Sequence, residues 1–267
     1  MKSLKNRPIG VFDSGVGGLT VARSIRRHLP EEDIIYFGDT ARVPYGNKSR
    51  KTIIRFAREI MAFMMAKRVK TVVVACNTAS SLSLASLKKS YPVPVIGVIT
   101  PGVKEAVRIS KTGRIGVIGT SSTISSGSYE KELVKMDPRC RIFSTRCPLF
   151  VPLVENRFIN DTITYEVARR YLGRLKKKRV DTLILGCTHY PILKTVIADV
   201  MGRVKLVDSS LAVAEEVKEV LFKKGLGTCL KKGSGKMKCF VSDDVEGFRK
   251  VARIFLKEDF SAERAVL

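Results

Sequence analysis

Short runs of apolar, mostly β-branched residues alternate with helical patterns along the whole chain of 267 residues. The runs predict strands at 8–13, 33–39, 71–76, 93–99, 114–119, 141–146, 181–187 and 204–209. Between them, apolar residues recur at helical spacing, most clearly over 19–29 and 52–68. Because parallel strands need a long crossover connection, usually a helix, this alternation predicts an α/β fold with mostly parallel sheets. A ligand site is then expected at the loops that follow the carboxyl ends of the strands.

Short segments in the first half of the chain resemble segments in the second half, as in an internal repeat. Two pairs of segments match in the same order and at nearly equal spacing: IGVFDSG (9–15) with IGVIGTS (115–121), and VVVACNT (72–78) with LILGCTH (183–189). This internal repeat indicates two pseudo-symmetric α/β domains that face each other across a cleft. That arrangement would bring Cys76 and Cys187 to opposite walls of one pocket.

Each of these two cysteines is the last residue of a predicted buried strand. A thiol at a strand-to-helix junction lies near the positive end of the helix dipole and near backbone N–H groups, which lower its pKa from about 8.5. The same N–H groups, together with Asn77, Thr78 and Thr188, predict a cradle for carboxylates. A single cysteine here would more simply be a buried core residue. Two at corresponding strand ends, Cys76 and Cys187, favour catalysis, whereas Cys140, Cys147, Cys229 and Cys239 are interpreted as structural.

The segment DSGVGGLT (13–20) joins the first strand to the first helix. Its glycines permit a tight turn and close approach of a ligand. It is not the dinucleotide fingerprint, because Thr20 stands where that motif has its last glycine. Asp13 and Ser14 can either reach a pocket or cap the following helix, and the pattern alone leaves both open.

Three further polar segments follow strands or precede helices. His189 lies on the same turn as Cys187 and can tune that thiol or cap a helix. The loop RVPYG offers a turn with Pro44, Tyr45 and Gly46 that can hold an anion. The hydroxyl-rich segment GTSSTISSGSY offers Thr120 and Thr123. For both loops, ordinary turn chemistry is the alternative interpretation.

The composition bounds the class of protein. The chain has 49 Lys+Arg against 25 Asp+Glu, a formal net charge of +24, which suits anionic substrates and also nucleic acid. We interpret it mainly as a solvated basic surface. No apolar run is long enough for a membrane span and no signal peptide is apparent, so a cytoplasmic protein is expected. Six cysteines without a CxxC pair, and only two histidines, argue against a disulfide framework and a structural zinc site.

Two thiols on opposite faces of a substrate suit two-base racemisation. One thiolate removes a proton from a carbon while the other thiol returns one, a form of general acid–base catalysis. Five segments then resemble the glutamate racemase family in family order: GVFDSGVGGLTV, GDTARVPYG, ACNTAS, GTSSTISSGSY and GCTHYPIL. The resemblance covers essentially the whole chain. It implies a cofactor-independent isomerase, without metal, that interconverts L- and D-glutamate for peptidoglycan synthesis, with two α/β domains, a site between them and, by default, a homodimer.

The resemblance also implies roles for residues. Cys76 would be the base acting on D-glutamate and Cys187 the base acting on L-glutamate, assisted by Asp13 and His189 respectively. The substrate would be held by a larger set of residues: Asp13, Ser14, Pro44, Tyr45, Gly46, Asn77, Thr78, Thr120, Thr123, Glu155 and Thr188. The first domain is expected to comprise 1–98 plus 208–267, and the second 99–207.

Three other functions remain open from the sequence. An aspartate racemase of the same superfamily would share the thiols and differ in pocket depth. A basic nucleic-acid-binding protein would use the net charge and would release its ligand in salt, although nucleic acid is not expected as the main partner. A thiol redox protein is disfavoured because Cys76 and Cys187 lie far apart in the sequence and no CxxC pair is present.

Overall fold

The computed structural model describes residues 3–229, 231, 233–256 and 260–267. It contains two β-sheets, and all paired strands in both are parallel. The first sheet contains β1 (Ile9–Asp13), β2 (Ile34–Gly38), β3 (Thr71–Val74), β4 (Val95–Gly97), β9 (Met237–Val241) and β10 (Ala262–Arg264). Its strand order is β10-β9-β2-β1-β3-β4. The second sheet contains β5 (Arg114–Gly119), β6 (Arg141–Arg146), β7 (Thr182–Gly186) and β8 (Lys205–Val207), in the order β6-β5-β7-β8.

Helices connect the parallel strands, as the sequence alternation predicts. They are α1 (Leu19–His28), α2 (Arg50–Ala66), α3 (Asn77–Ser90), α4 (Ile99–Ile109), α5 (Ser121–Ser125), α6 (Ser128–Met136), α7 (Phe150–Glu155), α8 (Thr162–Lys177), α9 (Lys194–Met201), α10 (Ser209–Lys223) and α11 (Val245–Leu256). The predicted fold class, α/β with parallel sheets, is confirmed. The sequence pattern did not predict β9 and β10.

The chain divides into two compact units. The first unit comprises Met1–Val98 and Ser210–Leu267, and the second comprises Ile99–Ser209. Each unit contains one of the two sheets. The division into domains at 1–98 plus 208–267 and 99–207 stays a prediction.

Each unit has its own apolar core around its central strands. In the first unit every residue of β1 and β3 is buried, and Phe12 and Val72 pack with Ile60 and Met64 of α2. In the second unit β7 is buried along its whole length. Strands covered by helices on both faces are apolar throughout rather than alternating, which explains the continuous apolar runs in the sequence.

Parallel pairing decides where the polar strand ends lie. In the first unit β1 pairs with both β2 and β3, so the residues after all three strands lie at one edge of the sheet. In the second unit β5 pairs with β7, with Gly119 opposite Gly186, so Thr120 and Cys187 follow neighbouring strand ends. None of the helices in the described ranges combines the length and apolar character that spanning a bilayer requires.

Candidate active site

Cys76 lies at the N-terminus of a long helix in the first unit. It follows β3 after one residue and occupies the N-cap position of α3, and its carbonyl accepts the backbone N–H of Ser80 at 2.8 Å. Its side chain is buried and makes no capping hydrogen bond with that helix. Its Sγ lies 3.8 Å from Oγ of Ser14. Asn77 and Thr78, both buried, form the first turn of the helix, where the dipole favours negative charge.

Asp13 ends β1 at the same edge of the sheet and is fully buried. Its Oδ2 accepts the backbone N–H of Gly15 at 3.0 Å. The N-cap position of α1 is occupied by Gly18, so Asp13 and Ser14 lie before the residue at which that helix is capped. A Cβ at Gly18 would lie 2.5 Å from the Cβ of Asp13, which explains why a glycine stands where α1 begins. The carboxylate is therefore held at the strand end by backbone contacts.

The loop with Pro44, Tyr45 and Gly46 is anchored by an aspartate that the sequence analysis did not single out. Tyr45 is buried and donates its hydroxyl hydrogen bond to Asp39. Burial, and then the charge of Asp39, raise the pKa of Tyr45 far above its ordinary value, so the hydroxyl stays protonated. Pro44 and Gly46 flank the tyrosine in this short turn.

Asp39 is the centre of a wider network. It follows β2, is fully buried, and accepts Nε–H of Arg42 at 2.7 Å and the Ser242 hydroxyl at 2.9 Å. The Arg42 guanidinium also contacts Glu59 and lies 4.1 Å from the ring centroid of Phe56. Asp39 is the last residue of a predicted strand, in the segment GDTAR. This position at a strand end is the sequence feature from which Asp39 could have been predicted as a polar residue near the site. Nothing in the sequence links it to Ser242, 203 residues away.

In the second unit, Cys187 is the first of three side chains that contact one another in series. Its Sγ lies 3.9 Å from Nδ1 of His189, and Nε2 of His189 lies 3.0 Å from Oε1 of Glu155. Glu155 is the last residue of α7, and its side chain is about one-third exposed, whereas His189 is buried. His189 occupies the N-cap position of a short 3-10 turn, but its side chain makes no capping hydrogen bond. The helix-cap interpretation therefore does not account for this side chain.

The environment of His189 favours its protonated form. Burial by itself lowers the pKa, but the contacts with Cys187 and then with Glu155 outweigh burial and raise the pKa of His189 to about 10. A protonated imidazole beside a sulfur stabilises the thiolate, and a carboxylate on its other nitrogen fixes the orientation of the ring. The side chains of Cys187, His189 and Glu155 therefore form a continuous series of contacts from a thiol through an imidazole to a carboxylate.

Two threonines complete the polar cluster in the second unit. Thr120 occupies the N-cap position of α5 and accepts the backbone N–H of Thr123 at 3.3 Å, and the two hydroxyl oxygens lie 2.9 Å apart. Thr188, directly after Cys187, is buried as they are. The structure thus groups Asp13, Ser14, Cys76, Asn77 and Thr78 at one strand edge, and Thr120, Thr123, Cys187, Thr188 and His189 at the other. The Tyr45 loop is tied to its own unit through Asp39.

No group of three or more His, Cys, Asp or Glu side chains in the described ranges is arranged to hold a metal ion. The chemistry of the two clusters is that of thiols, an imidazole, carboxylates and hydroxyls. A parallel α/β chain with a buried, partnered thiol after a central strand of each sheet has the fold and the groups of a racemase, an isomerase that exchanges a proton on carbon.

Comparison with known proteins narrows this class. The family model for Asp/Glu/Hydantoin racemase matches residues 9–217. A glutamate racemase of Geobacter metallireducens is 48% identical over 94% of this chain and 93% of its own length. A second, from Persephonella marina, is 48% identical over 97% of both chains. The chain therefore belongs to the Asp/Glu/hydantoin racemase family and, within it, to the glutamate racemases.

Solved structures agree with this assignment. A glutamate racemase isoform from Bacillus anthracis superposes with a TM-score of 0.95 at 40% identity and covers 98% of both chains. A glutamate racemase from Francisella tularensis, solved in complex with D-glutamate, gives 0.91 at 40% identity and the same coverage. An aspartate racemase of Picrophilus torridus, at 18% identity and a TM-score of 0.57, shares the fold. The family resemblance stated from the sequence motifs is confirmed.

Proposed function

We propose that the chain interconverts L-glutamate and D-glutamate by two-base proton transfer, with Cys76 and Cys187 as the bases. The observation that carries this proposal is the matched placement of the two thiols, each buried within two residues of the end of an interior strand and each beside a polar partner. The glutamate racemase relatives, 45% to 48% identical, support the choice of glutamate as substrate.

The proposed reaction moves one proton off Cα and another onto it. With L-glutamate, the thiolate of Cys187 removes the Cα proton while the thiol of Cys76 delivers a proton to the opposite face. With D-glutamate the two cysteines exchange roles. His189, held by Glu155, stabilises the thiolate form of Cys187, and Asp13 serves Cys76 as its assisting base. No proton is gained or lost overall, because each thiolate formed in one turnover is the base for the reverse reaction.

The substrate's charged groups have partners in both clusters. The N-terminus of α3, with Asn77 and Thr78, suits a carboxylate, since the first-turn amides and the helix dipole favour an anion. The proposed binding set further includes Ser14, the loop of Pro44, Tyr45 and Gly46, and then Thr120, Thr123, Glu155 and Thr188. The net charge of +24 also attracts an anionic substrate.

The cellular setting is part of the proposal. D-glutamate made by this chain would supply peptidoglycan synthesis in the cytoplasm, and the enzyme would act as a homodimer without a cofactor. The family membership supports these statements. Chelators and reagents that trap pyridoxal phosphate are therefore expected to leave turnover unchanged, and loss of activity with either would contradict cofactor independence.

The decisive experiment follows L-glutamate with purified enzyme in heavy water, by NMR of the Cα proton and by circular dichroism. We expect the dichroism to decay to zero. Because removal and return of the proton use different thiols, early D-glutamate should carry deuterium while unreacted L-glutamate keeps its proton. L-aspartate, run in parallel, tests the superfamily alternative. If neither amino acid loses its Cα proton, the racemase proposal is wrong.

Cysteine variants test the assignment of the bases. Cys76→Ala and Cys187→Ala should each lower the racemisation rate by at least about 10³-fold, in the range that loss of an acid–base group produces. The matched controls are Cys239→Ala in the first unit and Cys140→Ala in the second, because neither thiol belongs to a cluster described above. Full turnover in either Cys76→Ala or Cys187→Ala would contradict the two-thiol mechanism.

A further inference from the structure

A basic cavity lies at the amino edge of the first sheet, away from the candidate catalytic residues. Its volume is about 490 Å³, which is within the range of small-molecule sites. It is lined where β1, β2 and β9 begin, whereas Asp13 and Cys76 follow the carboxyl ends of β1 and β3. A five-residue strand separates these two edges by roughly 15 Å. The basic cavity is therefore a different place from the candidate active site.

Positive charge dominates the lining of the basic cavity. Five of its lining residues are cations, and its single acid is Asp33: Arg7, Lys67, Arg68, Lys236 and Lys238 supply the charge. The Asp33 carboxylate already accepts the backbone N–H of Lys236 at 3.0 Å. Like charges in one concavity repel, so this lining is stabilised when an anion enters.

Most of these cations have no side-chain partner among the residues that the structure describes. Of the described residues' ion pairs and side-chain hydrogen bonds, none involves the side chain of Arg7, Arg68, Lys236 or Lys238. Lys67 alone is engaged, with its Nζ 4.6 Å from the ring centroid of Phe240. Arg7 is half-buried, and Arg68, Lys236 and Lys238 are exposed, whereas the buried Lys70 of the same unit is paired with Glu32. The donors of the basic cavity therefore remain available for a ligand.

Arg68, which lines the basic cavity, has a backbone conformation that residues other than glycine rarely adopt. It follows the end of α2 with φ at +54°, the left-handed region in which glycine is favoured after a helix. A non-glycine residue in this conformation costs on the order of 1 kcal/mol. The chain keeps a guanidinium at the rim of the basic cavity where glycine would fit the backbone better.

We propose that the basic cavity binds a small polyphosphate anion. Several separate cations match a ligand with several negative charges, which a single carboxylate does not offer. Lysine ammonium groups and arginine guanidinium groups are the usual partners of phosphate oxygens. Two sources share this chemistry, a nucleoside triphosphate and inorganic tripolyphosphate.

The backbone of Arg68 offers a variant that removes charge without harming the fold. Arg68→Gly relieves the left-handed strain, and its matched control is Arg179→Gly. Arg179 follows α8 in the second unit with φ at +50°, and it does not line the basic cavity. Both variants lose one positive charge at an equivalent backbone position. A difference in anion affinity between them therefore depends on where the lost charge was located.

Isothermal titration with tripolyphosphate at 0.15 M salt tests the proposal. We expect saturable binding with one ligand per chain, weakened about tenfold by Arg68→Gly, the effect of one charge-assisted contact, and unchanged by Arg179→Gly. Equal weakening in both variants, or binding that does not saturate, would overturn the proposal in favour of a general effect of net charge. Racemisation should be the same in both variants, so this result is independent of the proposed function.

The source of the phosphates is read from two further titrations. ATP binding more tightly than tripolyphosphate, with the same sensitivity to Arg68→Gly, would assign the site to nucleotides. The reverse order would assign it to inorganic polyphosphate. A single-stranded oligonucleotide that binds more tightly than both and depends on Arg68 would contradict a small-anion site.

Discussion

At the scale of single residues, the contact between Cys187 and His189 should affect both the proposed reaction and the stability of the folded chain. In the unfolded chain His189 has an ordinary pKa of about 6.5, and in the folded chain the pKa is about 10. Because the folded pKa is the higher one, the contribution of protonated His189 to stability is complete below about pH 6.5. It is lost as the pH rises through about 10.

His189→Gln should therefore be most destabilising at low pH. We expect the difference in unfolding free energy between the parent chain and this variant to shrink by about 2–4 kcal/mol between pH 6 and pH 10.5. Urea denaturation at pH 6, 8 and 10.5 measures it, and taking the difference removes the titration of groups that do not interact with His189. Glu155→Gln should move the decline to lower pH, because one of the groups that raise the pKa is gone. A difference that is constant with pH would contradict the ion-pair interpretation.

The positions of some of these residues can be predicted from the sequence, and the positions of others cannot. Cys76 and Cys187 can be placed after buried strands, because chain adjacency and apolar runs determine that position. The contact of His189 with Glu155 cannot be predicted in this way, since the two residues are 34 positions apart and meet only through packing of α7. Asp39 and Ser242 are hidden for the same reason. The roles of Cys76, Cys187, His189 and Glu155 as site residues stay predictions.

At the scale of elements, close packing of strand ends sets the position of Cys187. Gly186, the last residue of β7, faces the neighbouring strand so closely that a Cβ would lie 2.5 Å from the carbonyl oxygen of Ile118. A backbone atom in a paired strand cannot move aside as a flexible side chain can. The glycine before the cysteine is therefore required by the fold.

Gly186→Ala should push β7 and β5 apart and displace the thiol. We expect a loss of about 1–3 kcal/mol in unfolding free energy, the usual cost of overpacking, and about a 10²-fold loss in racemisation from misplacement. Gly173→Ala is the matched control in the same unit, since nothing lies within 4 Å of a Cβ there. That helical position should gain about 0.5–1 kcal/mol. Wild-type stability and activity in Gly186→Ala would refute the packing argument.

The edges of the first sheet explain where element prediction fails. The central strands are apolar throughout because helices cover both faces, so they stand out in the sequence as continuous apolar runs. β9 and β10, by contrast, lie towards one edge of the sheet, and β9 begins among the lysines of the basic cavity. A strand with charged residues at its start and a three-residue edge strand leave little apolar signal. The overall α/β class survives these omissions because it depends on the central strands.

For the whole molecule, the net charge of +24 is the property that acts over the longest range. Charges separated by less than a Debye length repel, and that length falls from about 30 Å at 0.01 M salt to about 10 Å at 0.1 M. Two copies of this chain therefore repel each other strongly in dilute buffer. The proposed homodimer has to overcome this repulsion with its contact surface.

Sedimentation velocity at 10 mM and 100 mM sodium chloride tests the dimer and the repulsion together. We expect dimers at 100 mM and a dissociation constant at least about tenfold larger at 10 mM, because long-range repulsion is screened in the first buffer and not in the second. A series with sucrose in place of salt keeps the ionic strength low and should not restore association. Chloride is used so that the basic cavity receives no polyvalent anion. Monomers at both salt concentrations and at 100 μM chain would reject the homodimer, whereas a dimer insensitive to salt would show that its interface lies far from the excess charge.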